Sequence, residues 1–250
     1  MKIKIFKSLT SISAIINLHR EGELAKASIL SAVTAVDKAE EMMNISTRII
    51  IVLDAADPLT ISAAGQYVSN NKFKIYNVNL KDLSCSRNFA IDKCDTEYVA
   101  FLDGDDLWGE DWLWKAIQND QRLNIERDVI WHPEINFIFE NDNHIFFHTD
   151  MDSHDFFIDY LRVSNYWTAL SLAKTRIYQE IPFIKNEIKF GMGFEDWNWN
   201  CRTIEKGFKH KVAINTCHFI RNKKIGSLLS KTNKNHCVLT PHNLFSPNTD

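Results

Sequence analysis

The first half of the chain alternates between apolar runs and amphipathic stretches. The apolar runs are short and rich in β-branched and aromatic residues, which favours strands that are covered on both faces. The amphipathic stretches show helical spacing of apolar residues. The predicted strands are residues 11–18, 48–53, 73–78 and 98–102, and the predicted helices are residues 23–43, 58–68, 84–93 and 110–125. This alternation predicts an α/β fold with a mostly parallel sheet flanked by helices.

The second half has a different pattern. Two apolar segments on either side of the polar turn at 140–143 predict a pair of strands, and two helices and two further strands follow along the chain. The predicted strands are residues 128–139, 144–148, 167–173 and 210–214, and the predicted helices are 153–161 and 195–206. Beyond residue 221 the chain is polar and rich in lysine, which indicates a polar tail over residues 223–250.

Composition narrows the class of protein. A chain of 250 residues with 45% hydrophobic and 24% charged residues can bury a large core. Its net charge of -3 gives no basic field for nucleic acid, and no apolar run is long enough to span a bilayer. The five cysteines show no CxxC spacing, and the first residues do not resemble a secretory signal. We therefore expect a cytoplasmic protein with reduced thiols.

Three carboxylates follow the predicted strand at 98–102. Asp103, Asp105 and Asp106 surround Gly104, and such a cluster repels itself unless a cation neutralises it. Hard ions such as Mg²⁺ or Mn²⁺ prefer oxygen ligands and bridge to phosphates, and ligands of open α/β sheets bind beyond the carboxyl ends of strands. The cluster alone fits two structures equally well, a metal–phosphate site or an acidic turn that caps the next helix.

Other polar side chains follow the predicted strands. They include Asn17, His19 and Glu21 around the end of the first strand, Asp54 after the second, and Arg87 in the third predicted helix. Each alone fits a solvated loop or a helix cap. Because the carboxyl ends of parallel strands meet at one sheet edge, together they indicate a polar ligand site.

Two adjacent acids begin the predicted helix at 195–206. Glu195 and Asp196 follow the glycines at 191 and 193, and acids in a first turn are also favoured by the helix dipole alone. A carboxylate at such a position can instead serve as a general base. His218 follows the last predicted strand, and it is a candidate metal ligand only if the fold returns it to the acidic cluster.

At this point the sequence resembles family 2 of the inverting glycosyltransferases, which have the GT-A fold. The resemblance rests on ordered motifs over roughly residues 10–222: the first two strand ends, Ser86-Arg87-Asn88, the DxD motif at 103–105 and the Glu195-Asp196 pair. It implies a nucleotide-sugar-binding half at 1–108 and a smaller, mixed acceptor and catalytic half at 109–222, within one domain.

The resemblance also implies roles for individual residues. Asp54 would contact the nucleotide base with the His19 loop and Arg87, Asp103 would contact ribose or diphosphate, and Asp105 would hold Mn²⁺ or Mg²⁺. Asp196, or less favourably Glu195, would be the catalytic base. The implied donor-binding set is Asn17, His19, Glu21, Asp54, Arg87, Asp103 and Gly104. By a further resemblance, to polypeptide N-acetylgalactosaminyltransferases, His218 would be a third metal ligand.

The acceptor side is less well defined by the sequence. Trp167, Gly193 and Trp197 are candidate acceptor contacts, although large aromatic residues more often belong to the core. The resemblance implies an inverting hexosyltransferase that uses a nucleotide-sugar donor, with a UDP-sugar expected, and a glycan or lipid-linked acceptor of bacterial surface polysaccharide synthesis. The basic residues at 221–234 fit either peripheral contact with the inner face of a membrane or a solvated tail.

Two departures from the family pattern concern the donor side: Asn17-Leu18 stands where many members have Pro-Tyr, and residues 54–57 read Asp-Ala-Ala-Asp. Both departures affect the positions that would select the nucleotide base. Two alternatives stay open at this stage. One is a nucleotidyltransferase, which usually has a basic, glycine-rich loop after the first strand, whereas residues 17–22 contain one Arg and one Gly. The other is a non-catalytic GT-A-like module that binds a sugar or a nucleotide.

Overall fold

Four parallel strands form the first half of the sheet in the computed structural model, which describes residues 9–123, 128–223 and 227–245. Three of them contain buried apolar runs, as expected of strands covered on both faces, whereas the strand at Phe73–Val78 lies at the edge of the sheet and is only partly buried. The strands are β1 (Thr10–Leu18), β2 (Ile45–Asp54), β3 (Phe73–Val78) and β4 (Tyr98–Asp103), and the helices are α1 (Leu24–Met42), α2 (Pro58–Gly65), α3 (Leu83–Ile91) and α4 (Trp112–Arg122). The predicted order of elements is confirmed.

Nine of the described strands form one sheet. Eight of them follow the order β3-β2-β1-β4-β8-β6-β10-β5, and β7 pairs with β6 at the side. β1 pairs in parallel with both β2 and β4, so the chain moves outward from β1 in two directions. The gap between β1 and β4 is therefore a topological switch point, where open sheets bind their ligands. Asn17 of β1 and Asp103 of β4 are partners in the register at that point.

The second half completes the sheet and adds a small one. Its elements are β5 (Leu107–Trp108), β6 (Val129–Glu140), β7 (His144–Phe147), β8 (Leu172–Lys174), α5 (Thr175–Glu180), β9 (Met192–Gly193), α6 (Glu195–Glu205), β10 (Lys209–Asn222), α7 (Leu228–Lys234) and β11 (Val238–Leu239). β8 runs antiparallel to β4 and β6, whereas β10 runs parallel to β6. β11 pairs with β9 in a separate two-stranded sheet. This arrangement confirms the predicted α/β class with a mixed second half.

Several predicted elements differ from the observed ones. The helix predicted at 153–161 is a series of turns that ends in a 3-10 helix at Ile158–Arg162, and the strand predicted at 167–173 is reduced to β8. The segment predicted to be a polar tail contains α7 and β11. Residues 124–127 of the predicted fourth helix, and residues 224–226 and 246–250 of the predicted tail, lie outside the described residues.

Helix caps set the entry of the chain into two helices beside the switch point. The Asp57 carboxylate accepts the backbone N–H groups of Leu59 and Thr60, with Pro58 at the first helical position of α2. Asp82 caps α3 in the same way, through the N–H of Cys85. Such caps satisfy donors that a helix start leaves without partners. Among the described helices, none combines the length and apolar character needed to cross a membrane.

Candidate active site

A buried arginine joins the two acidic motifs. Arg87 lies on α3 and is 1% exposed, and its guanidinium donates to both carboxylate oxygens of Asp103, at 3.0 and 3.2 Å. The same guanidinium donates to Glu195 at 3.1 Å. Phe183 and Phe101 lie against it, with ring centroids 5.4 and 5.9 Å away. Two carboxylates that lie far apart in sequence thus meet at one buried cation, and Arg87 has almost no exposed surface left for a nucleotide base.

Asp54 holds the loop that follows β3. Its carboxylate accepts the backbone N–H groups of Leu80, Lys81 and Asp82 at 2.6, 2.9 and 3.3 Å, and the Ser86 hydroxyl at 2.7 Å. The side chain is buried, which opposes ionisation, but these hydrogen bonds together lower the pKa of Asp54. A carboxylate has about four acceptor positions, and all are used. These contacts do not favour the nucleotide-base contact predicted for Asp54.

The DxD turn is packed closely against the end of β1. A Cβ at Gly104 would stand 2.4 Å from the Leu18 side chain and 2.9 Å from the Asn17 carbonyl, so only glycine fits there. The Asn17 side chain is 7% exposed, and both its amide nitrogen and its amide oxygen lack a partner in this structure. An unsatisfied buried amide is costly. Its place beside Asp103 suits a ligand contact.

Asp105 lies among charged side chains. Its carboxylate pairs with Lys223 at 2.8 Å and with Arg221 at 3.6 Å. Nearby, Glu21 accepts the backbone N–H of His19 at 2.5 Å, and the His19 ring contacts the Asp54 carbonyl at 2.6 Å. Burial and the charge of Asp105 raise the pKa of Glu21. The predicted donor residues of the first strand end therefore lie beside the DxD turn.

Asp106 is not a helix cap. α4 begins at Trp112, and the residue before it is Asp111. The buried Asp106 carboxylate instead accepts the backbone N–H of Arg221 at 2.8 Å, which fixes the end of β10 against the turn. Burial and the charges of Asp103 and Asp105 raise its pKa well above the ordinary value. The helix-cap explanation of the acidic cluster is therefore wrong for Asp106.

The oxygen-bearing side chains at the switch point fit a hard divalent cation that takes most of its ligands from a bound phosphate group. Within the described parts of the chain, no three or more His, Cys, Asp or Glu side chains form a group able to hold a metal ion. Mg²⁺ and its analogues, however, need only one or two carboxylates when phosphate oxygens supply the other ligands. Asp105 is such a carboxylate, and the orphaned Asn17 amide beside Asp103 offers a further oxygen.

His218 does not face this site. Its side chain is fully buried, stacked near Trp108 and edge-on to Trp112 at 4.9 Å between ring centroids. Among the residues that the structure describes, neither ring nitrogen has a hydrogen-bond partner. Burial holds its pKa well below the ordinary value, so the ring is neutral. This packing among aromatic side chains does not favour the metal-ligand role predicted for His218.

The two acids of α6 have different surroundings. Glu195 is buried and bonds Arg87 with one oxygen and the Asn186 amide with the other, at 3.1 Å each. Asp196 is half-buried, and burial together with the charge of Glu195 raises its pKa to about 7. The preceding Phe194 has a left-handed φ of 60°, which is unusual for a bulky residue and marks a strained turn. Glu195 is thus engaged internally, whereas Asp196 is able to exchange a proton near neutral pH.

The predicted acceptor residues are mostly packed inside the protein. Trp167 is 1% exposed, stacks on His210 at 4.3 Å between ring centroids, and donates to the Thr149 carbonyl. A ring buried in this way offers no face to a sugar, so the structure does not favour the acceptor contact predicted for Trp167. Trp197 is half-buried and donates to the Leu161 carbonyl at 3.0 Å. Gly193 is buried where a Cβ would stand 2.6 Å from Thr232.

Comparison with known proteins places this site in a family. The family model described as Glycosyl transferase family 2 matches residues 13–181, which includes most of β1, all of β4 and the DxD turn. The chain belongs to glycosyl transferase family 2. Residues 182–250, including the Glu195-Asp196 pair, lie outside the matched segment. No curated protein matched the sequence.

Solved structures of glycosyltransferases share the fold of this family 2 chain. S. aureus TarS 1-349, solved with UDP-GlcNAc, is 15% identical, with a TM-score of 0.64 over 88% of this chain and 61% of TarS 1-349. The mannosyltransferase PcManGT from Pyrobaculum calidifontis, solved with GDP-Man and Mn²⁺, is 14% identical, with a TM-score of 0.61 over 88% of this chain and 59% of its own. This chain therefore spans about three fifths of those structures, and the likeness confirms the GT-A fold.

Three side chains of the site were not predicted from the family 2 motifs. Asn165 donates to Asp196 at 3.4 Å, Asn186 donates to Glu195, and Lys223 pairs with Asp105. Asn165 and Asn186 lie outside regular helices and strands, and no spacing pattern connects them to the acids. Lys223 was assigned to a polar tail. Lys223 directly follows β10, and a position just after a strand is the sequence signal that predicts a side chain at the sheet edge.

Proposed function

We propose that this chain transfers a sugar from a nucleotide-sugar donor to a hydroxyl group of a glycan or glycolipid acceptor, with inversion at the anomeric carbon. Membership of family 2 supports sugar transfer as the reaction class. The observation that carries the proposal is the Arg87 link. It ties Asp103 at the switch point to Glu195, and so holds Asp196 next to the donor side of the site.

On the donor side, Asp103 and Asn17 would contact the ribose or the diphosphate, with Gly104 allowing the close approach. Asp105 would hold Mn²⁺ or Mg²⁺, which would neutralise the charge on the leaving diphosphate. Lys223 and Arg221 add positive charge at the same carboxylate. Asp54 would shape this half through the 80–82 loop that its carboxylate holds, and His19 would support it by contacting the Asp54 carbonyl, rather than by contacting the nucleotide base.

On the acceptor side, Asp196 would be the general base. The acceptor oxygen forms a bond to the anomeric carbon while the bond from that carbon to the diphosphate oxygen breaks. The hydroxyl proton passes to Asp196, and the nucleoside diphosphate leaves with the bonding electrons. General bases of this kind contribute about 10²–10⁴ in rate. Because the pKa of Asp196 is raised to about 7, the ionised base accumulates above that pH.

A UDP-sugar is the donor that we propose, with assembly of a bacterial surface polysaccharide at the cytoplasmic face of the membrane as its setting. TarS was solved with UDP-GlcNAc and with UDP, which supports a uridine donor, while PcManGT was solved with GDP-Man and Mn²⁺. Both kinds of nucleotide therefore belong in any donor screen.

Release of nucleotide from a panel of UDP- and GDP-sugars with Mn²⁺ tests the proposal. We expect one donor to be turned over, and we expect Asp196→Asn to lower the rate by about 10²–10⁴ while nucleotide still binds. Asp159→Asn changes an exposed carboxylate of the surface pair with Arg162, so it serves as the matched control and should leave the rate unchanged. Nucleotide binding without turnover of any donor would favour the non-catalytic alternative, and full activity of the Asp196 variant would exclude it as the base.

A further inference from the structure

Two asparagines form a hydrogen-bonded chain that ends on Asp196. Asn200 lies one helical turn after Asp196 on α6 and is fully buried. Its amide nitrogen donates to the Trp167 carbonyl at 3.2 Å and to the side-chain oxygen of Asn165 at 3.0 Å. The amide nitrogen of Asn165 then lies 3.4 Å from Oδ2 of Asp196.

The donors and acceptors of these hydrogen bonds can be assigned in only one consistent way. The Trp167 carbonyl accepts hydrogen bonds and cannot donate, so the Asn200 atom that faces it must be the nitrogen. The same nitrogen faces Asn165, whose side-chain oxygen therefore points to Asn200. A second donor, the backbone N–H of Trp167 at 3.4 Å, faces that oxygen as well. The NH₂ group of Asn165 is left facing the Asp196 carboxylate.

We propose that Asn165, oriented by Asn200, is a positioning residue for the Asp196 carboxylate. It holds Oδ2 and leaves Oδ1 for the acceptor hydroxyl. This inference rests on the proposed function for the role of Asp196 as base, but the hydrogen-bonded chain itself does not. Because an N–H donor stabilises the ionised carboxylate, Asn165 also keeps Asp196 deprotonated at lower pH than its surroundings alone would allow.

The charges around Asp196 explain why one amide matters. Burial and the neighbouring Glu195 carboxylate oppose its ionisation and raise its pKa. The Trp197 backbone N–H and the Arg87 guanidinium act in the other direction. Arg87 is already bonded to Asp103 and Glu195, so Asn165 is the side chain that donates directly to Asp196.

The pKa of Asp196 can be measured directly, by ¹³C NMR titration of protein with ¹³C-labelled aspartate and with Asp196→Asn for assignment. Asn165→Ala removes the donor, and we expect the titration midpoint of Asp196 to rise by roughly one pH unit. Asn200→Ala leaves Asn165 in place but frees the Asn165 amide to turn, so we expect a smaller rise in the titration midpoint of Asp196. Asn165 is half-buried, which makes its variant the less disruptive of the two.

Asn198→Ala is the matched control. Asn198 is also a buried asparagine of α6, but its amide donates to the Thr240 carbonyl at 2.7 Å, away from Asp196. It should lower the melting temperature without moving the Asp196 midpoint. An unchanged midpoint in folded Asn165→Ala would overturn the inference, even if sugar transfer were established. A raised midpoint in a protein that transfers no sugar would support the positioning role and refute the proposed function instead.

Discussion

At the scale of single residues, Arg87 is a buried cation shared by two motifs of this site. Its guanidinium is shared by Asp103 and Glu195 in a buried setting, so removal of the cation leaves two carboxylates without a counter-charge. Breaking a buried ion pair from one side costs more than the pair contributes when intact, because the uncompensated charge remains buried. Arg87 thus couples the stability of the fold to the geometry of the site.

Arg87→Met should therefore lower the free energy of unfolding by about 3–5 kcal/mol, measured by urea denaturation at pH 7.5. Arg87→Lys should also destabilise the protein, since an ammonium group cannot reproduce the planar fork. Arg48→Met is the control, because the Arg48–Asp95 pair is at the surface and its loss should cost under about 1 kcal/mol. Equal small losses for Arg87→Met and Arg48→Met would refute the account of Arg87.

At the scale of elements, the C-terminal segment 227–245 packs against β9 and α6. β11 pairs with β9 just before α6 begins, and Asn198 of α6 bonds the Thr240 carbonyl. Gly193 allows this contact because its missing Cβ leaves room for the Thr232 side chain. The segment therefore packs directly against the turn that sets the direction of α6.

Gly193→Ala should destabilise the protein by about 1–3 kcal/mol, because the new methyl group would stand 2.6 Å from Cγ2 of Thr232. Thr232→Ser removes that methyl group and keeps the hydroxyl, which bonds the Leu228 carbonyl. The double variant should recover part of the loss in a thermal denaturation experiment. Strictly additive effects of the two substitutions would contradict the packing described.

The strands and helices also show how much of the structure the sequence alone predicts. Continuous apolar runs predict β1, β4 and the buried part of β2 closely, because these parallel strands are covered on both faces, and the order of the motifs points to the acids at 103–105 and 195–196. The direction of side chains was not predictable: Arg87, Trp167 and His218 were each assigned to ligands, whereas the structure buries them in internal contacts. The bonding partners of Arg87 and Asp196 lie far away in sequence, so no local pattern reveals them.

At the scale of the whole molecule, a buried group of histidines lies between β6 and α6. His132 contacts His210 at 2.8 Å, His210 contacts Thr203 at 2.8 Å, and His148 contacts the Pro133 carbonyl at 2.8 Å. Burial lowers the pKa of His148 and of His210 to about 3, and lowers that of His132 well below its ordinary value. These rings are neutral in the folded protein and become charged only on unfolding in acid.

The stability of the protein should therefore fall as the pH decreases below about 6.5, the ordinary pKa of histidine in an unfolded chain. Above that pH both states are neutral and the contribution is fully present. Below it the unfolded state binds more protons, so each buried histidine costs up to about 1.4 kcal/mol per pH unit until the pH reaches its folded pKa.

Urea denaturation at pH 7.5, 6.5, 5.5 and 5.0 measures this slope. His148→Gln should flatten it by up to about 1.4 kcal/mol per pH unit, while His144→Gln at the exposed end of β7 should leave it unchanged. An unchanged pH slope in folded His148→Gln would show that this ring does not remain neutral and buried as described. The wild-type slope alone does not decide this, because the raised pKa values of Asp106 and Asp196 act in the opposite direction.

The central claim is that a nucleoside diphosphate binds at the switch point, together with a divalent ion that Asp105 holds. Calorimetric titration of UDP and GDP with Mn²⁺ and with excess EDTA tests it most directly. We predict saturable, Mn²⁺-dependent binding of at least one nucleotide at one site per chain. Asp105→Asn should weaken it at least tenfold, and Asp196→Asn should leave it within a factor of two. Absence of saturable binding, or equal Mn²⁺-dependent affinity in wild type and Asp105→Asn, would contradict the account.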